Sequence, residues 1–454
     1  MPRAAFHNLG CKVNAYETEA MEQQLRERGY EIVPFDEEAD VYVINTCSVT
    51  NIADRKSRQM LHRAKKRNPQ ALVAAVGCYV QVASQELAKD PSVDIIIGNN
   101  RKGELADILE EYGRTRQQAV RLEDIGRVQD CEPLRLKNRG EHTRAFIRVQ
   151  DGCNQFCSYC IIPYARGRVR SRSAEDVAEE IRGLAAQGCR EVVLTGIHLS
   201  SYGVEHMKEG PVRGGDWDGR QLLELIQQVH GIPGIERIRL GSLEPRIITE
   251  AFVRALGGLP KLCPHFHLSL QSGCDTVLKR MNRHYTAADY ARRCEILRQQ
   301  FPDAAVTTDV IVGFPGETEE EFAATREFVE SIHFYEMHVF KYSKRAGTRA
   351  AAMPDQITEQ VKAERSAILL ELEASMSRKF RERFVGRQVT VLLEEAEEIE
   401  GRLYMTGYTP EYVKAALDLE KAGFSRERAQ EELQGRIIRA EAGGLLGDEL
   451  LLLA

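Results

Sequence analysis

The sequence predicts an α/β protein in three parts: a small parallel α/β domain, a full or partial parallel barrel of six βα units, and a small β-domain at the C-terminal end. Three observations predict it. Apolar, β-prone stretches alternate with helical patterns over residues 1–125. The alternation resumes, six units long, over residues 143–375, and short strands without it fill residues 385–454. A chain of 454 residues has room for several such units.

In the first part the strand candidates are residues 4–9, 41–45, 72–76 and 93–97, with helical patterns at about 15–29, 52–67 and 81–89. Strands separated by helices pair in parallel. A polar linker rich in Arg, Glu, Gln and Asp runs from about Gly113 to His142. The second part offers strands at 145–150, 191–195, 237–240, 265–270, 305–312 and 336–342, with helices between them such as 174–187 and 318–331. Such a barrel carries its active site at the C-terminal ends of its strands. A charged helical stretch at about 355–384 leads out of it. In the third part, 388–393, 401–406, 437–439 and 450–453 read as short strands, while 411–433 also reads as helix.

Apolar residues at 43% and charged residues at 29% are an ordinary globular balance, which excludes disordered and collagen-like chains. No run approaches 18 apolar residues and MPRAAFHNLG has no apolar core, so a membrane or secreted protein is not expected. The net charge of −6 does not advertise a nucleic-acid binder, although local patches matter more than the sum. Eleven cysteines, an odd number, argue against a disulfide framework and for a cytosolic, reduced protein.

The cysteine spacing carries the chemistry. Cys153, Cys157 and Cys160 form C-x3-C-x2-C directly after the first strand of the six-unit region. Three thiolates so close suit a [4Fe–4S] cluster with one iron free of protein ligands. Zinc would want a fourth ligand at short spacing. His142 lies across the strand and Cys189 beyond a whole helix, so neither fits. An iron with an open site binds a substrate's amine and carboxylate and passes it an electron. The motif in this setting resembles the radical S-adenosylmethionine (SAM) enzymes. That resemblance implies reductive cleavage of SAM to a 5′-deoxyadenosyl radical, which attacks C–H bonds that no side-chain base can deprotonate.

Cys11, Cys47 and Cys78 are distant in sequence, yet each follows a candidate strand, in FHNLGC, VINTC and AVGC. Parallel strands bring their C-terminal ends to one edge, where open α/β sheets bind ligands. Three thiols on that edge read as a second cluster site. Two such sites followed by a small β-domain resemble the methylthiotransferases over nearly the whole chain. In that family the barrel is a partial (βα)6 TIM-like barrel and the third domain an OB-like β-barrel (TRAM). Both clusters are [4Fe–4S], and the second carries the sulfur to be inserted. Leu9-Gly-Cys-Lys-Val-Asn14 with Tyr16-Glu-Thr-Glu19, and Gly407-Tyr-Thr-Pro-Glu-Tyr-Val413, are similar to the subgroup acting on N6-threonylcarbamoyladenosine (t6A) in tRNA. The isopentenyladenosine sister group typically reads Gly-Cys-Gln-Met-Asn, and the sister acting on a ribosomal-protein aspartate has Lys-Asn followed by Asp-Ser. The resemblance implies a tRNA anticodon stem-loop carrying t6A as partner, an electron donor such as a flavodoxin or ferredoxin, a sulfur source, and a cytoplasmic location.

Within this frame the expected SAM contacts are Thr195 and Gly196 at the second strand end, Ser242 and Glu244 at the third, Gln271 at the fourth, and Asp309 and Gly313 in the fifth-strand string. Glu244 reads equally as a cap for the helix after Pro245. The family's usual Gly-Gly-Glu is Gly-Ile-His here, which leaves His198 without an assigned role. For RNA, two basic stretches stand out: 55–67, and the alternating Arg166, Arg168, Arg170 and Arg172, which an extended segment would present on one face. Arg345 is a further phosphate candidate. Residues 381–454 hold ten Lys+Arg against fifteen Asp+Glu, and the acidic run 394–400 would repel phosphate, so RNA contact there would fall to aromatics such as Tyr404 and Tyr408. Cys131, Cys189, Cys263, Cys274 and Cys294 read as small packed residues. The rival readings are a methylthiotransferase acting on isopentenyladenosine tRNA or a ribosomal-protein aspartate, and an iron–sulfur or zinc RNA-binding protein without catalysis.

Overall fold

The computed structural model describes residues 1–140, 143–207 and 217–454, so His142 lies outside the described residues. The first part is an all-parallel sheet in the order Glu31–Val33, Arg3–Asn8, Val41–Thr46, Leu72–Gly77, Ile95–Ile97, Ala119–Arg121. Its central strands are the apolar stretches of the sequence, buried on both faces as parallel strands between helices are. The two edge strands escape sequence reading because each is three residues long and its pairing is supplied by a neighbour. The polar linker is correspondingly less open than its composition implies. Gly113 belongs to the helix Leu105–Thr115, residues Ala119–Arg121 join the sheet, and Leu134 and Leu136 are buried against the next unit. Two buried leucines stabilise that docking by about 2 kcal/mol each.

All six expected barrel strands form. Arg144–Asp151, Glu191–Gly196 and Arg237–Leu240 pair in parallel, as do His265–His267, Ala305–Val312 and Glu336–Lys341. Single parallel bridges, Ile238 to Leu262 and Leu243 to Leu268, join the two sets into an open (βα)6 arc. Outward residues such as Ile147, Leu194, Ile238 and Phe266 pack against helices in one large core, leaving the alternate, largely polar residues to face the lumen. Tyr16 and Ala20 of the first helix, Lys12–Glu27, belong to that same core, so the N-terminal sheet and the barrel are packed as one body. Among the described residues no helix is long and apolar enough to cross a membrane.

The C-terminal region is a closed five-stranded barrel in the order Gln388–Ile399, Arg402–Tyr408, Lys414–Asp418, Leu450–Leu453, Ile437–Leu446, with the third and fifth strands in sequence parallel. That is the OB-like arrangement the family resemblance implies. The helix read at 411–433 is corrected. Residues Lys414–Asp418 are a strand and only Arg426–Leu433 is helical, because pairing of 414–418 with both Arg402–Tyr408 and Leu450–Leu453 closes the barrel. Of the acidic run, Glu394 pairs with Arg144 at 2.8 Å and Glu397 with Lys414 at 2.9 Å, so part of its charge is neutralised internally.

The string 407–413 plugs the N-terminal end of the βα barrel. Tyr408 and Tyr412 stack at 4.5 Å, the Arg144 guanidinium lies over both rings, and Arg239 lies 4.5 Å from Tyr412. Arg237 and Arg239 donate to the carbonyls of Tyr408 and Pro410. Tyr412 takes φ 70°, a region a side chain tolerates only when its surroundings hold it. Tyr408 is thus occupied by the interface, and Tyr404 is buried at 4%, so neither serves as the expected RNA-stacking aromatic. Tyr412→Ala removes the stack on Tyr408, a ring contact with His265 and two cation–π contacts, about 2–3 kcal/mol in all. The expected outcome is a thermal scan in which the C-terminal barrel melts ahead of the remainder, where the unaltered chain shows the two coupled.

Candidate active site

Each N-terminal cysteine sits where a strand of the sheet hands over to a helix. Cys11 caps the helix Lys12–Glu27 and Cys78 opens the helix Cys78–Leu87. Helix N-termini favour thiolates through their exposed N–H groups. Gly10 at φ 107° and Gly77 at φ 98° make the two turns, and a Cβ on Gly10 would lie 3.0 Å from the Cys47 sulfur. The three cysteines therefore meet at one strand edge. Burial pushes the Cys11 thiol up and the Cys47 thiol up to about 12, with Cys78 adding to both. Such thiols lose their protons only to a metal centre that takes up the charge. Arg166 donates to the Cys78 sulfur at 3.2 Å and Asn99 at 3.6 Å.

Arg166 belongs to a buried charge network that the sequence did not reveal. It reaches Glu17 at 3.0 Å, Asp151 at 3.1 Å and Asn14 at 2.5 Å, while Glu17 also pairs with Lys102 and Arg148. Arg170 pairs with Asp151, and Arg172 with Asp176 and Glu180. The expected phosphate-facing arginine row is thereby corrected. Arg166, Arg170 and Arg172 are buried in ion pairs, because the segment after the cysteine loop turns into the short helix Ile162–Arg166 and then pairs antiparallel with Gln150 and Asp151. Only Arg168 stays exposed, over the Phe156 ring at 4.6 Å. Arg345 is likewise not directed at phosphate. It binds Asp54 and Asn51 at 2.6 Å and Ser48 at 2.8 Å, tying the sixth barrel strand to the N-terminal unit. On the helix Asn51–Arg67, Arg63 and Arg67 pair with Asp36 and Lys65 with Asp94, leaving Arg55, Lys56 and Lys66 outward.

At the C-terminal end of the barrel, Cys153, Cys157 and Cys160 share a cavity of about 150 Å³ with Ser242, Glu244, Gln271 and His198. Burial raises the Cys160 thiol and pushes Cys153 up to about 12. Arg283 donates to the Cys157 sulfur at 3.4 Å. Glu244 does both things the sequence allowed: it accepts from the Arg246 backbone N–H as a cap, and it lines the cavity. Gln271 holds φ 71° while its side chain accepts from the Tyr159 hydroxyl at 3.0 Å. His198 donates or accepts at Ser201 through Nδ1, and its buried Nε2 has no hydrogen-bond partner among the described residues. Burial, then Arg283 and Arg246, hold His198 at about 3, so the ring is neutral.

Thr195 and Gly196 end their strand outside this lining, with Gly196 packed on Gln150. Asp309 stands apart in the lumen, 3.3 Å from His267. Gly313 turns at φ 68°, and the space its missing Cβ leaves is filled by the Lys362 stem. Nothing in the sequence pattern marks His267, His338 or Arg283, whose importance depends on which strands adjoin. Cys274 bonds Thr276 at 3.1 Å and lines neither cysteine cavity.

The donor sets fit clusters better than single ions. Zinc–thiolate bonds of about 2.3 Å draw sulfurs to about 3.8 Å of one another. Among the described residues, the one group with three ligating atoms mutually within 4.8 Å is His267, Asp309 and His338, and neither cysteine trio is drawn in that far. On the outer side of the barrel's cysteine loop, a second cavity of about 500 Å³ combines Arg168, Arg246 and Arg349 with Phe156, Tyr164 and Trp217.

Comparison with known proteins agrees with this geometry. Residues 147–329 match the model of the Radical SAM superfamily, and residues 3–98 match Uncharacterized protein family UPF0004. The fold is shared with a radical SAM methyltransferase, TsrM from Kitasatospora setae, solved with cobalamin and a [4Fe–4S] cluster. The TM-score is 0.55 at 16% identity, over 75% of each chain. Fold and cysteine loop together define a radical SAM enzyme. The chain is 40% identical, over 97% of its length and 94% of the relative's, to the threonylcarbamoyladenosine tRNA methylthiotransferase MtaB of Bacillus subtilis. It is also 37% identical to the tRNA-2-methylthio-N(6)-dimethylallyladenosine synthase of Acetivibrio thermocellus, over 89% of this chain and 83% of that one. The chain belongs to the radical SAM tRNA methylthiotransferase family, whose cofactors are SAM and two [4Fe–4S] clusters.

Proposed function

We propose that this chain inserts a methylthio group at C2 of t6A next to the tRNA anticodon, in the cytoplasm. The observation that carries the reading is the 40% identity to MtaB over 97% of the chain. The strings Leu9-Gly-Cys-Lys-Val-Asn14 and Gly407-Tyr-Thr-Pro-Glu-Tyr-Val413 support the same substrate.

In this reading Cys153, Cys157 and Cys160 hold the SAM-cleaving cluster, and Cys11, Cys47 and Cys78 hold the cluster that carries sulfur. When bound, the first cluster would supply an electron, one SAM the adenosyl radical, another SAM the methyl group and the second cluster the sulfur to be inserted, chemistry that the weakly acidic adenine C2–H requires. Ser242, Glu244 and Gln271 bind SAM where they line the cysteine cavity, with Thr195, Gly196 and Gly313 as outer contacts, whereas Asp309 lies apart from them with His267. Arg283 beside Cys157 and Arg166 beside Cys78 offset thiolate charge and hold each sulfur in place. The cavity wall of Arg168 and Arg349 with Phe156 and Tyr164 offers the cations and stacking faces that an RNA loop needs, in place of the buried arginine row, while Arg246 is held by Glu244.

Nucleoside mass spectrometry of tRNA tests the proposal, using cells with and without this gene in a background lacking any paralogue. The expected outcome is 2-methylthio-t6A only when the gene is present. If the methylthio group appears instead on isopentenyladenosine, or on a ribosomal protein, the chemistry holds and the substrate assignment fails.

A further inference from the structure

The barrel lumen holds a polar cluster that no part of the cluster chemistry uses. Strand register sets Asp309 beside His338 and His267 beside Thr307. His267 Nε2 lies 3.3 Å from Asp309, its Nδ1 lies 3.0 Å from Thr307, and its ring stacks with His338 at 6.0 Å. Lys12 enters the same space from the N-terminal unit. The groups acting on its ammonium are Arg239 and Arg144, which repel it, and Asp309, which attracts it. They stand on the third, first and fifth barrel strands, so the side chain, itself solvent-exposed, faces the arc. Arg239 and Arg144 are each paired with an acid, Glu191 or Glu394. Lys12 has no ion-pair or hydrogen-bond partner among the described residues.

We infer that Lys12, His267, Asp309 and His338 form the recognition subsite for the carboxylate-bearing arm on N6 of the substrate adenosine. The inference rests on the t6A reading and adds the residues that select it. A threonylcarbamoyl arm presents a carboxylate, a hydroxyl and ureido groups. An unpaired ammonium answers the carboxylate, and the imidazoles and the Asp309 carboxylate answer the hydroxyl and the ureido N–H. An isopentenyl arm offers none of these and would leave Lys12 desolvated without compensation. Lys12 follows Cys11 directly, and C2 and the N6 arm flank N1 of the same ring. An arm held at Lys12 therefore brings C2 toward the sulfur-bearing edge. Two imidazoles and a carboxylate are also a donor set for a divalent metal, but the positive charge of Lys12 opposes a second cation there.

The test uses the reconstituted enzyme and an anticodon stem-loop RNA carrying t6A, beside the same RNA with the threonine carboxylate as its methyl ester. The expected result is a loss of about thirtyfold in kcat/KM on the ester, mainly in KM. Lys12→Gln should show the same loss on the acid and no further loss on the ester, with Lys12→Arg recovering most of it. Iron content reports whether each variant keeps its clusters. Because the acid–ester comparison needs only the unaltered enzyme, it decides the matter even where a variant does not fold. Equal turnover of acid and ester overturns the inference. So does one equivalent of manganese bound by the holoenzyme and lost in His338→Phe, which would make the trio a metal site. No product from t6A RNA beside product from isopentenyladenosine RNA would instead overturn the substrate reading on which the inference stands.

Discussion

Cys157→Ala is expected to abolish reductive cleavage of SAM while leaving about half of the iron, because the two cysteine trios then hold independent four-iron clusters. Cys157 is the thiol to choose. It is only half-buried, it lines the cavity with Ser242 and Glu244, and the Arg283 guanidinium that loses its sulfur keeps the Tyr285 hydroxyl and the Ser269 carbonyl. The complementary variant, Cys78→Ala, should keep formation of 5′-deoxyadenosine and lose the methylthio product. Iron analysis and chromatography of the SAM products read both. Full retention of SAM cleavage by Cys157→Ala would remove the assignment of that loop.

Glu17→Gln carries the largest expected cost in stability. The carboxylate is 2% exposed and faces Arg166, Arg148 and Lys102 at once. Burial by itself would raise its pKa, but Arg166, then Lys102 and Arg148, outweigh burial and hold it well below the ordinary value of 4.5. Neutralising it strands three buried cations with Asp151 as their main remaining acid, a loss of about 3–5 kcal/mol. The thermal transition should fall by roughly 10 °C. The sign with pH follows from the depressed folded pKa. The stabilisation is complete above the unfolded value and is lost as pH falls toward the folded one. The difference between the unaltered chain and Glu17→Gln should therefore narrow progressively below about pH 4.5. A constant difference across that range would mean that packing, rather than charge, makes Glu17 matter. Because Arg166 also reaches the Cys78 sulfur, the variant should loosen the N-terminal cluster site before the barrel one.

The readable features of this protein are those written locally. Val41–Thr46 and Ile95–Ile97 are apolar and β-branched enough to announce buried strands, and the C-x3-C-x2-C loop is legible because its three thiols sit within eight residues. Cys11, Cys47 and Cys78 are legible for a subtler reason: a parallel sheet repeats its strand ends at the period of the βα unit, so distant cysteines share an edge. That logic stops where pairing or burial is decided by a partner elsewhere in the chain. Residues 414–418 look helical until the C-terminal barrel needs a strand to close, and Tyr408 looks available to RNA until the βα barrel needs a plug. An arginine reads alike in sequence whether it faces phosphate or an acid, so only the fold could separate Arg168 from Arg166, Arg170 and Arg172. By itself, then, the sequence determined the fold class, the two cysteine trios and the family, since these rest on short spacings and strand periodicity. The tertiary structure alone decided which charges are buried in pairs and which meet in the lumen, because those facts depend on contacts that local sequence does not encode, such as Glu17 with Arg166, 149 positions away, and His267 with Asp309 on neighbouring strands.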